Sequence, residues 1–400
     1  PAGTPKLAVA DLDAAGLTDV FREAPPTIAP RPPVAAPCPA AQPLWSVRLA
    51  AHAPVFRITP ADIDGDAQPE LLVACGPAGH AVSGRGRLLW SHSTAGVVRD
   101  VSLARFTKRN PPTMLVSSAD THLYQLDPAG RQLRKDQLTG IYFNVDHGER
   151  PWGLYCTRAV DADADGTDDL LVTTLASMES QGLTPEIKKL WRTLAAYHGC
   201  MEMAVEDLDR DGKPEIVIAD KYGAVFVLRP DGSKLLSSRT SIGDVTFGLG
   251  DLNGDGRLEI VHGSSTGDLI AVDLKNKTLW GFDNYGYPVE RIRCADVNGD
   301  GRPEILIASG TGYVYCLDAR GVLLWQRRLG LAVHDLVLAD GIIVAGTEDG
   351  EIHALDGSGK SRWSQSVGAA VTKLTVISAA GQPAAVAGLA DGRLLALPMK

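Results

Sequence analysis

The chain has 400 residues, 44% of them hydrophobic and 22% charged, with a formal net charge of -9. This length and composition can bury a sizeable core, while the acidic balance and the absence of a basic stripe disfavour nucleic acid as a partner. No run approaches eighteen apolar residues, so no segment is expected to span a membrane.

The first 42 residues are predicted to form an extension of their own. The stretch KLAVADLDAAGLTDVF, residues 6–21, has the pattern of two strands joined by an acidic turn, but Ala15 stands where later copies carry an acid. The Pro/Ala-rich segment that follows has no packing pattern and is typical of a linker. Residues 1–42 are therefore interpreted as a degenerate repeat plus a linker, which is compatible with a place in a larger multidomain chain.

An acidic motif recurs five times after the linker. The copies begin at residues 62, 161, 207, 251 and 296, with spacings of 99, 46, 44 and 45 residues, so the first spacing holds one degenerate copy. Each copy has oxygen-bearing side chains at positions 1, 3, 5 and 9 around a glycine turn. Such hard-oxygen sets suit calcium, whereas magnesium needs a stricter octahedron and zinc prefers nitrogen or sulfur. The alternative is a polar Asp/Gly turn that binds nothing.

The predicted Ca2+ ligands, about five structural sites in all, are Asp62, Asp64, Asp66, Glu70, Asp161, Asp163, Asp165, Asp169, Asp207, Asp209, Asp211, Glu215, Asp251, Asn253, Asp255, Glu259, Asp296, Asn298, Asp300 and Glu304.

The period of about 45 residues predicts a repeat architecture. Each unit contains four short β runs punctuated by Gly, Asp and Asn, which is the pattern of a propeller blade. The fold class is therefore all-β, and residues 43–400 are predicted to form an eight-bladed β-propeller, with seven blades as the alternative. The segment TPEIKKLW in blade three resembles a helix start, but its spacing favours strands. Blades two, seven and eight lack the acids and are expected to lack metal.

Tryptophans mark the outermost strand of most blades. They are Trp90, Trp191, Trp280, Trp325 and Trp363, with Leu133 and Leu235 near the equivalent place in two other blades. The last unit lacks its fourth strand, and the N-terminal stretch PLWSVRLA around Trp45 has the right context to supply it. We therefore expect the N-terminal strand to complete the C-terminal blade and close the ring.

The acidic loops, such as DLNGDGRLEIV and DVNGDGRPEILI, resemble the FG-GAP/VCBS repeats of integrin α-subunit propellers and of many secreted bacterial proteins. Blade ends such as ALDGSGKSRW and CLDARGVLLW are similar to those of quinoprotein-like propellers. The resemblance covers five of the eight units and a damaged N-terminal copy. It implies the fold and bound calcium, and says little about function because propellers host many chemistries.

The expected location is extracellular or periplasmic. Calcium loops of this kind fill at the millimolar concentrations found outside cells, and a chain that begins at Pro1 is compatible with a mature form. The six cysteines include no CxxC pair and are expected to be reduced. Cys156 and Cys200 lie at the starts of neighbouring inner strands and are the pair that could form a disulfide.

Two connections on the face opposite the acidic loops depart from the repeat. They are GIYFNVDHGERPWGLYCTR, residues 140–158, and DNYGYPVERIR, residues 283–293. Aromatic side chains stack on sugars and arginines pair with carboxylate or sulfate. Arg57, Arg99 and Glu202 are expected to enter from other inner strands. The predicted ligand-binding residues are Tyr142, Arg150, Trp152, Glu202, Tyr285 and Arg293.

Two function classes follow. The first is a secreted recognition module that binds a polysaccharide, anionic in charge, or a glycoprotein, with no membrane insertion. The alternative is a polysaccharide lyase of the rhamnogalacturonan-lyase type acting on a uronate-containing glycan, in which His147, Tyr155, Tyr287, Arg158 and Arg291 would be catalytic. No stretch matches the catalytic motifs of such lyases, and no GxSxG, Walker or HExxH motif is present, so enzymatic activity stays open. The arginines could instead form ion pairs with Glu202 and Glu290 between blades.

Overall fold

The computed structural model describes residues 7–10, 19–22, 40–50, 52–107, 111–141, 148–161, 165–175, 177, 179–195, 199–379 and 382–399. The chain divides into two compact units, Pro1–Pro39 and Ala40–Lys400. In the first unit, strands β1 (Leu7–Ala10) and β2 (Asp19–Arg22) pair antiparallel. Among the described residues no helix is long and apolar enough to cross a membrane.

The second unit is an eight-bladed β-propeller in which each blade is a four-stranded antiparallel sheet. The strands of the blades, in chain order, are β4 (Val55–Ala61), β5 (Glu70–Cys75), β6 (Ala78–Val82) and β7 (Leu88–Ser93); β8 (Val98–Ala104), β9 (Thr113–Ser118), β10 (His122–Leu126) and β11 (Gln132–Gln137); β14 (Leu154–Val160), β15 (Asp169–Thr174), β16 (Ser180–Leu183) and β17 (Lys189–Thr193); β18 (Cys200–Glu206), β19 (Glu215–Asp220), β20 (Ala224–Leu228) and β21 (Lys234–Arg239); β22 (Val245–Gly250), β23 (Glu259–Ser264), β24 (Asp268–Val272) and β25 (Thr278–Asp283); β26 (Val289–Ala295), β27 (Glu304–Ser309), β28 (Tyr313–Leu317) and β29 (Leu323–Arg328); β30 (Val333–Ala339), β31 (Ile342–Thr347), β32 (Glu351–Asp356) and β33 (Ser361–Ser366); and β34 (Val371–Ala379), β35 (Gln382–Leu389) and β36 (Arg393–Pro398) with β3 (Trp45–Arg48). A hairpin of β12 (Thr139–Ile141) and β13 (Glu149–Pro151) precedes blade three.

The burial of each strand follows from its place in the blade. The second strands, such as ELLVAC and EIVIAD, are buried at every residue because both of their faces pack against a neighbouring blade. The outermost strands alternate, as in the exposed and half-buried pattern of β29. Residues 184–188 form a turn between β16 and β17, and residues 189–191 begin β17. No helix forms over TPEIKKLW, and the strand interpretation is right for its last three residues only.

The hydrophobic core is divided among the interfaces between blades. In the described residues, eight apolar clusters each combine side chains from two adjacent blades. One of these clusters joins the last blade to the first, with Val386 and Leu394 packed against Val55 and Leu71. The core is therefore continuous around the ring, and no blade buries its apolar faces alone.

The ring closes through the N-terminal strand, as the sequence predicts. Strand β3 pairs antiparallel with β36, and Trp45 lies opposite Ala396 in the register. Blade eight thus takes its outermost strand from the beginning of the propeller. This pairing completes eight blades and excludes the seven-bladed alternative.

Five of the six tryptophans on the outermost strands, all except Trp363, pack on a turn of the following blade. The Trp45 indole N–H donates to the carbonyl oxygen of Gly84 at 3.0 Å, and its ring covers Gly86, which has a φ of 80° in the turn between β6 and β7. A Cβ at Gly86 would lie 2.6 Å from the ring, so the indole requires glycine there. The same arrangement recurs at Trp90, Trp191, Trp280 and Trp325.

In the two blades whose outermost strand lacks this tryptophan, the turn of the following blade does not need glycine. The residue at the tryptophan position is Arg134 in β11 and Leu236 in β21, each one residue beyond the leucine expected from the sequence. The turns that follow carry Ile187 and Asn276, instead of glycine, at the position with positive φ. With no indole above the turn, a side chain fits there.

Replacing Trp45 by alanine should open the joint between blades eight and one. Truncating a core tryptophan costs ~3–5 kcal/mol. Trp45 is half-buried, so we expect a loss toward the lower end of that range, including the hydrogen bond to Gly84. Thermal or urea unfolding of the purified protein measures this loss. The matched control is Leu133→Ala, on an outermost strand but 62% exposed, which should be nearly neutral. Equal effects of the two substitutions would contradict the role of β3 as the closing strand.

Candidate functional site

The acidic loops occupy one end of five blades. Each loop starts at the residue after the first strand, and its ninth residue begins the second strand. That ninth acid is buried and ties the loop to itself, since Glu70, Glu215, Glu259 and Glu304 each accept a hydrogen bond from the backbone N–H of loop position 2, at 2.8–3.1 Å. The loops are therefore held in a fixed shape by their own backbone.

The first aspartate of each loop organises the turn. In the loop that starts at Asp251, its two carboxylate oxygens accept from the N–H groups of Gly254 at 2.7 Å and Gly256 at 2.8 Å. The equivalent bonds recur at Asp62, Asp207 and Asp296. Asp161 accepts from Gly166, while its neighbour Asp163 lies outside the described residues.

The donor set of these loops fits a hard cation. Oxygens of Asp62, Asp64 and Asp66, and of Asp207, Asp209 and Glu215, lie within 4.8 Å of one another. Burial raises the pKa of the four glutamates at position 9, and the nearby aspartates raise it further, against the lowering effect of their backbone hydrogen bonds. Crowded carboxylates of this kind are stabilised by a cation. The set contains oxygen alone, which suits calcium.

A channel lined by the first strands of the blades runs through the ring. A cavity of about 690 Å³ within it is lined by residues of β4, β8, β14, β18, β26, β30 and β34. In each of these seven strands the pairing register shifts between the first and third residues, which marks a β-bulge. A bulge bends the strand and redirects side chains.

The third residue of the first strand carries a charge in six of the eight blades. These residues are Arg57, Asp100, Glu202, Arg291, Asp335 and Lys373. Arg158 and Arg293 stand two residues further along β14 and β26, on the same side of the strand. The channel is thus lined by charged side chains that come from different blades.

The three carboxylates of the channel connect neighbouring blades. Asp100 accepts from the backbone N–H of Thr157 at 3.1 Å, and Asp335 accepts from the N–H of Leu374 at 2.9 Å, in each case in the following blade. Glu202 accepts from the Thr246 hydroxyl at 2.7 Å. These acids therefore act as links between the inner strands.

Arginines complete the ionic network. Asp100 pairs with Arg57, whose Nε lies 3.2 Å from Oδ1, and also with Arg158. Arg291 bridges Glu202 and Asp335, with its Nε 2.9 Å from Asp335 Oδ1. Burial is the largest single influence and opposes ionisation of both acids, but Arg291 together with the other cations and hydrogen bonds outweighs it, so the pKa of Glu202 and of Asp335 lies below the usual range.

Four of the residues selected from the sequence lie around the same cavity. They are Tyr155, Glu202, Arg291 and Arg293. Arg158 contacts Asp100 within the network, so Arg158 and Arg291 both serve as ion-pair partners between blades. The pairing of arginines with Glu202, left open by the sequence, is present, while Glu290 pairs with His334 at 3.8 Å.

The other selected residues lie elsewhere. Tyr285 and Tyr287 are 52% and 47% exposed on the connection that enters blade six. Arg150 and Trp152 belong to the hairpin segment before blade three, where the Trp152 indole donates to the carbonyl oxygen of Gly140 at 3.0 Å. Tyr142 and His147 lie outside the described residues.

Three channel residues were not selected from the sequence: Asp100, Asp335 and Lys373. Each is the third residue of its first strand, in VRD, VHD and VTK. A comparison of this position across all blades is the signal that could have found them.

The cysteines among the described residues are free thiols. Cys156 and Cys200 belong to the same apolar cluster, where the Cys200 thiol donates to the carbonyl oxygen of Glu202 at 3.1 Å. The interaction with Cys200 lowers the pKa of the Cys156 thiol despite burial. The two residues that the sequence suggested as a pair are therefore neighbours without a disulfide.

Comparison with known proteins agrees with this architecture. Residues 207–262 match the family model of the FG-GAP-like repeat, and residues 259–331 match that of the lambda-carrageenase β-propeller domain. The chain is an eight-bladed β-propeller with FG-GAP-like repeats. A search of curated proteins found no match to the propeller.

Solved structures share the fold at low identity. Sqt1 of Saccharomyces cerevisiae is 10% identical with a TM-score of 0.71, over 90% of this chain and 99% of that chain. The computationally designed Ika8 protein is 15% identical with a TM-score of 0.65, over 89% and 99%. BamB from Moraxella catarrhalis is 16% identical with a TM-score of 0.61, over 90% and 100%. At these identities the likeness concerns the propeller fold alone.

Removing calcium should destabilise the propeller. One site that prefers the folded chain contributes about 2.7 kcal/mol when free calcium is a hundredfold above its dissociation constant. We expect EDTA to lower the melting temperature and added calcium to restore it. Asp255→Ala should reduce the number of bound calcium ions by one, as measured by calorimetry or metal analysis. Glu348→Ala, an exposed acid in blade seven outside the loops, is the control and should leave that number unchanged. A melting temperature that is indifferent to calcium would contradict the metal sites.

Proposed function

We propose that the protein is a calcium-stabilised recognition module that binds an anionic polysaccharide, or the glycan of a glycoprotein, at the channel mouth opposite the acidic loops. The observation that carries this proposal is a second cavity, of about 430 Å³, at the starts of the first strands. Because these starts lie at the opposite end of the strands from the acidic loops, the cavity opens on the other face. Ligands commonly bind in such concave sites.

The chemistry of the mouth suits a charged sugar. Lys373 lines both this cavity and the channel, and Pro288 and Glu290 bring the connection from blade five to its edge. Tyr285 and Tyr287, exposed on that connection, offer flat surfaces for sugar rings. Aromatic stacking and cationic pairing together favour an anionic glycan over a neutral one.

The family match supports a carbohydrate ligand. Residues 259–331 resemble the propeller domain of a lambda-carrageenase. This range contains the connection with the two tyrosines and the charged strand β26. A secreted location, extracellular or periplasmic, suits both a polysaccharide ligand and calcium loops that fill at millimolar concentrations.

A lyase is the second candidate, because Tyr155 shares the channel cavity with Arg291 and Arg293. In a lyase, arginines neutralise a uronate carboxylate and a tyrosine transfers a proton. Two features weigh against this role. Burial raises the pKa of Tyr155, which keeps the phenol protonated and unsuited to act as a base. Arg291 is already paired with two carboxylates. Recognition without turnover is therefore the stronger proposal.

Binding to a panel of polysaccharides in calcium buffer tests the proposal. We expect sulfated or uronate-containing polysaccharides to bind, neutral ones not to bind, and affinity to fall with added salt. Tyr287→Ala should weaken binding roughly tenfold, since an aromatic contact is worth ~0.5–1.5 kcal/mol. The control is Leu324→Ala, which is 49% exposed on an outermost strand. Equal binding of neutral and charged polysaccharides would refute the proposal.

The same panel separates recognition from lyase activity. A lyase forms unsaturated uronate products, which are detected by their ultraviolet absorbance. We expect none to form with any polysaccharide that binds. Product from one of them would establish the lyase, and Tyr155→Phe would then test its catalytic residue.

A further inference from the structure

The channel holds more positive than negative charge. In the described residues its cations are Arg57, Arg99, Arg158, Arg291, Arg293 and Lys373, and its carboxylates are Asp100, Glu202 and Asp335. Six cations against three carboxylates leave three positive charges without a matching negative charge. An uncompensated cluster of like charges away from bulk water is costly and favours a bound anion.

The carboxylates of the channel are already engaged. Asp335 accepts from the N–H groups of Leu336 and Leu374, both at 2.9 Å, in addition to Arg291. Asp100, with a side chain only 1% exposed, is held by Thr157, Arg57 and Arg158. These acids therefore have little capacity to neutralise a further cation.

Two channel cations, Arg99 and Lys373, have no close carboxylate in the described part of the chain, and a third is only loosely paired. The loosely paired one is Arg293, whose Nη1 lies 3.8 Å from Glu202 Oε1, a carboxylate that Arg291 already holds. Among the described residues, no carboxylate lies within ion-pairing distance of Arg99 or Lys373. All three side chains line the same cavity.

The surroundings of these cations leave them available to a ligand. Arg99 lies over the rings of Phe56 and Tyr155, 4.6 and 5.8 Å from their centroids, and its buried Nε has no hydrogen-bond partner among the residues that the structure describes. Burial, and then Arg291, lowers the pKa of Lys373 to about 8, which outweighs the raising effect of Asp335 and Glu202. Burial and Arg291 likewise lower the pKa of Arg293.

We propose that the channel is a binding site for a tetrahedral oxyanion, a sulfate or phosphate group, held by Arg99, Arg293 and Lys373. Guanidinium groups bind such anions through paired hydrogen bonds, and a lysine adds a point charge. A cavity of about 690 Å³ admits the anion together with part of a sugar residue. The anion is either an ester group of the bound glycan or the free ion. Only the first of these sources rests on the proposed function.

The first experiment measures binding of inorganic sulfate and inorganic phosphate to the calcium-loaded full chain, by calorimetry and thermal shift. Sodium chloride at equal ionic strength is the reference. We expect saturable binding of sulfate or phosphate above that reference. Thermal shifts no larger than those in chloride, and no calorimetric signal, would overturn the proposal.

Lys373→Met and Arg99→Gln test the residues. Each should weaken oxyanion binding at least tenfold. Because each also removes an unmatched cation from the channel, neither should lower the melting temperature in the absence of the anion, which separates loss of binding from loss of folding. The matched control is Arg320→Gln, an 82% exposed arginine paired with Asp318, and it should bind as the unaltered protein does. Unchanged binding by both channel variants would overturn the assignment.

A sulfated oligosaccharide and its desulfated counterpart distinguish the sources. Stronger binding of the sulfated form, lost in Lys373→Met, supports the site and identifies the ester group as its ligand. If the inorganic ions bind and neither oligosaccharide does, the result supports the channel site and contradicts the proposed function. Binding of polysaccharide with no response to inorganic or ester oxyanions leaves the mouth as a recognition site and refutes the channel site.

Discussion

The structure depends on one constraint: a blade cannot bury its apolar faces without a neighbour on each side. The eight apolar clusters in the described residues all lie between blades, so the ring must close for the first and last blades to be stable. The β3–β36 pairing meets this need. Its seam is visible at Trp363, whose indole N–H has no acceptor because the third and fourth strands of blade eight are not joined by a turn.

Ring closure also determines what the channel can contain. The bulged first strands leave backbone N–H groups directed at the neighbouring blade, and Asp100 and Asp335 satisfy two of them, at Thr157 and Leu374. Buried carboxylates of this kind need cations, which arginines supply. The acids are thus committed to holding blades together. The cations that exceed this requirement are the ones free to meet a ligand.

The sequence could predict the fold because its signals are local and repeated. Asp251, Gly254 and Glu259 lie within one loop, and Trp280 marks its strand without reference to other blades. The channel was only partly predictable. Arg291 and Glu202, which pair with each other, are 89 residues apart, and a β-bulge leaves no clear mark in a strand sequence. Lys373 is a single charge in an apolar strand, and its importance becomes visible only when the first strands are brought around one axis.

The net charge of -9 hides an uneven distribution of charge between the loops and the channel of the propeller. Eighteen of the 48 acidic residues occupy the ligand positions of the five loops, while the unmatched cations lie in the channel. A seven-residue first strand spans roughly 20 Å, and mobile ions screen charges beyond about 8 Å at physiological ionic strength. Arg99 and Lys373 are the second and third residues of their strands, at the far end from the loops, so the loop carboxylates cannot cancel their field. A ligand that enters the channel meets unmatched cations inside an acidic protein, so the sign of its own charge cannot be inferred from the overall composition.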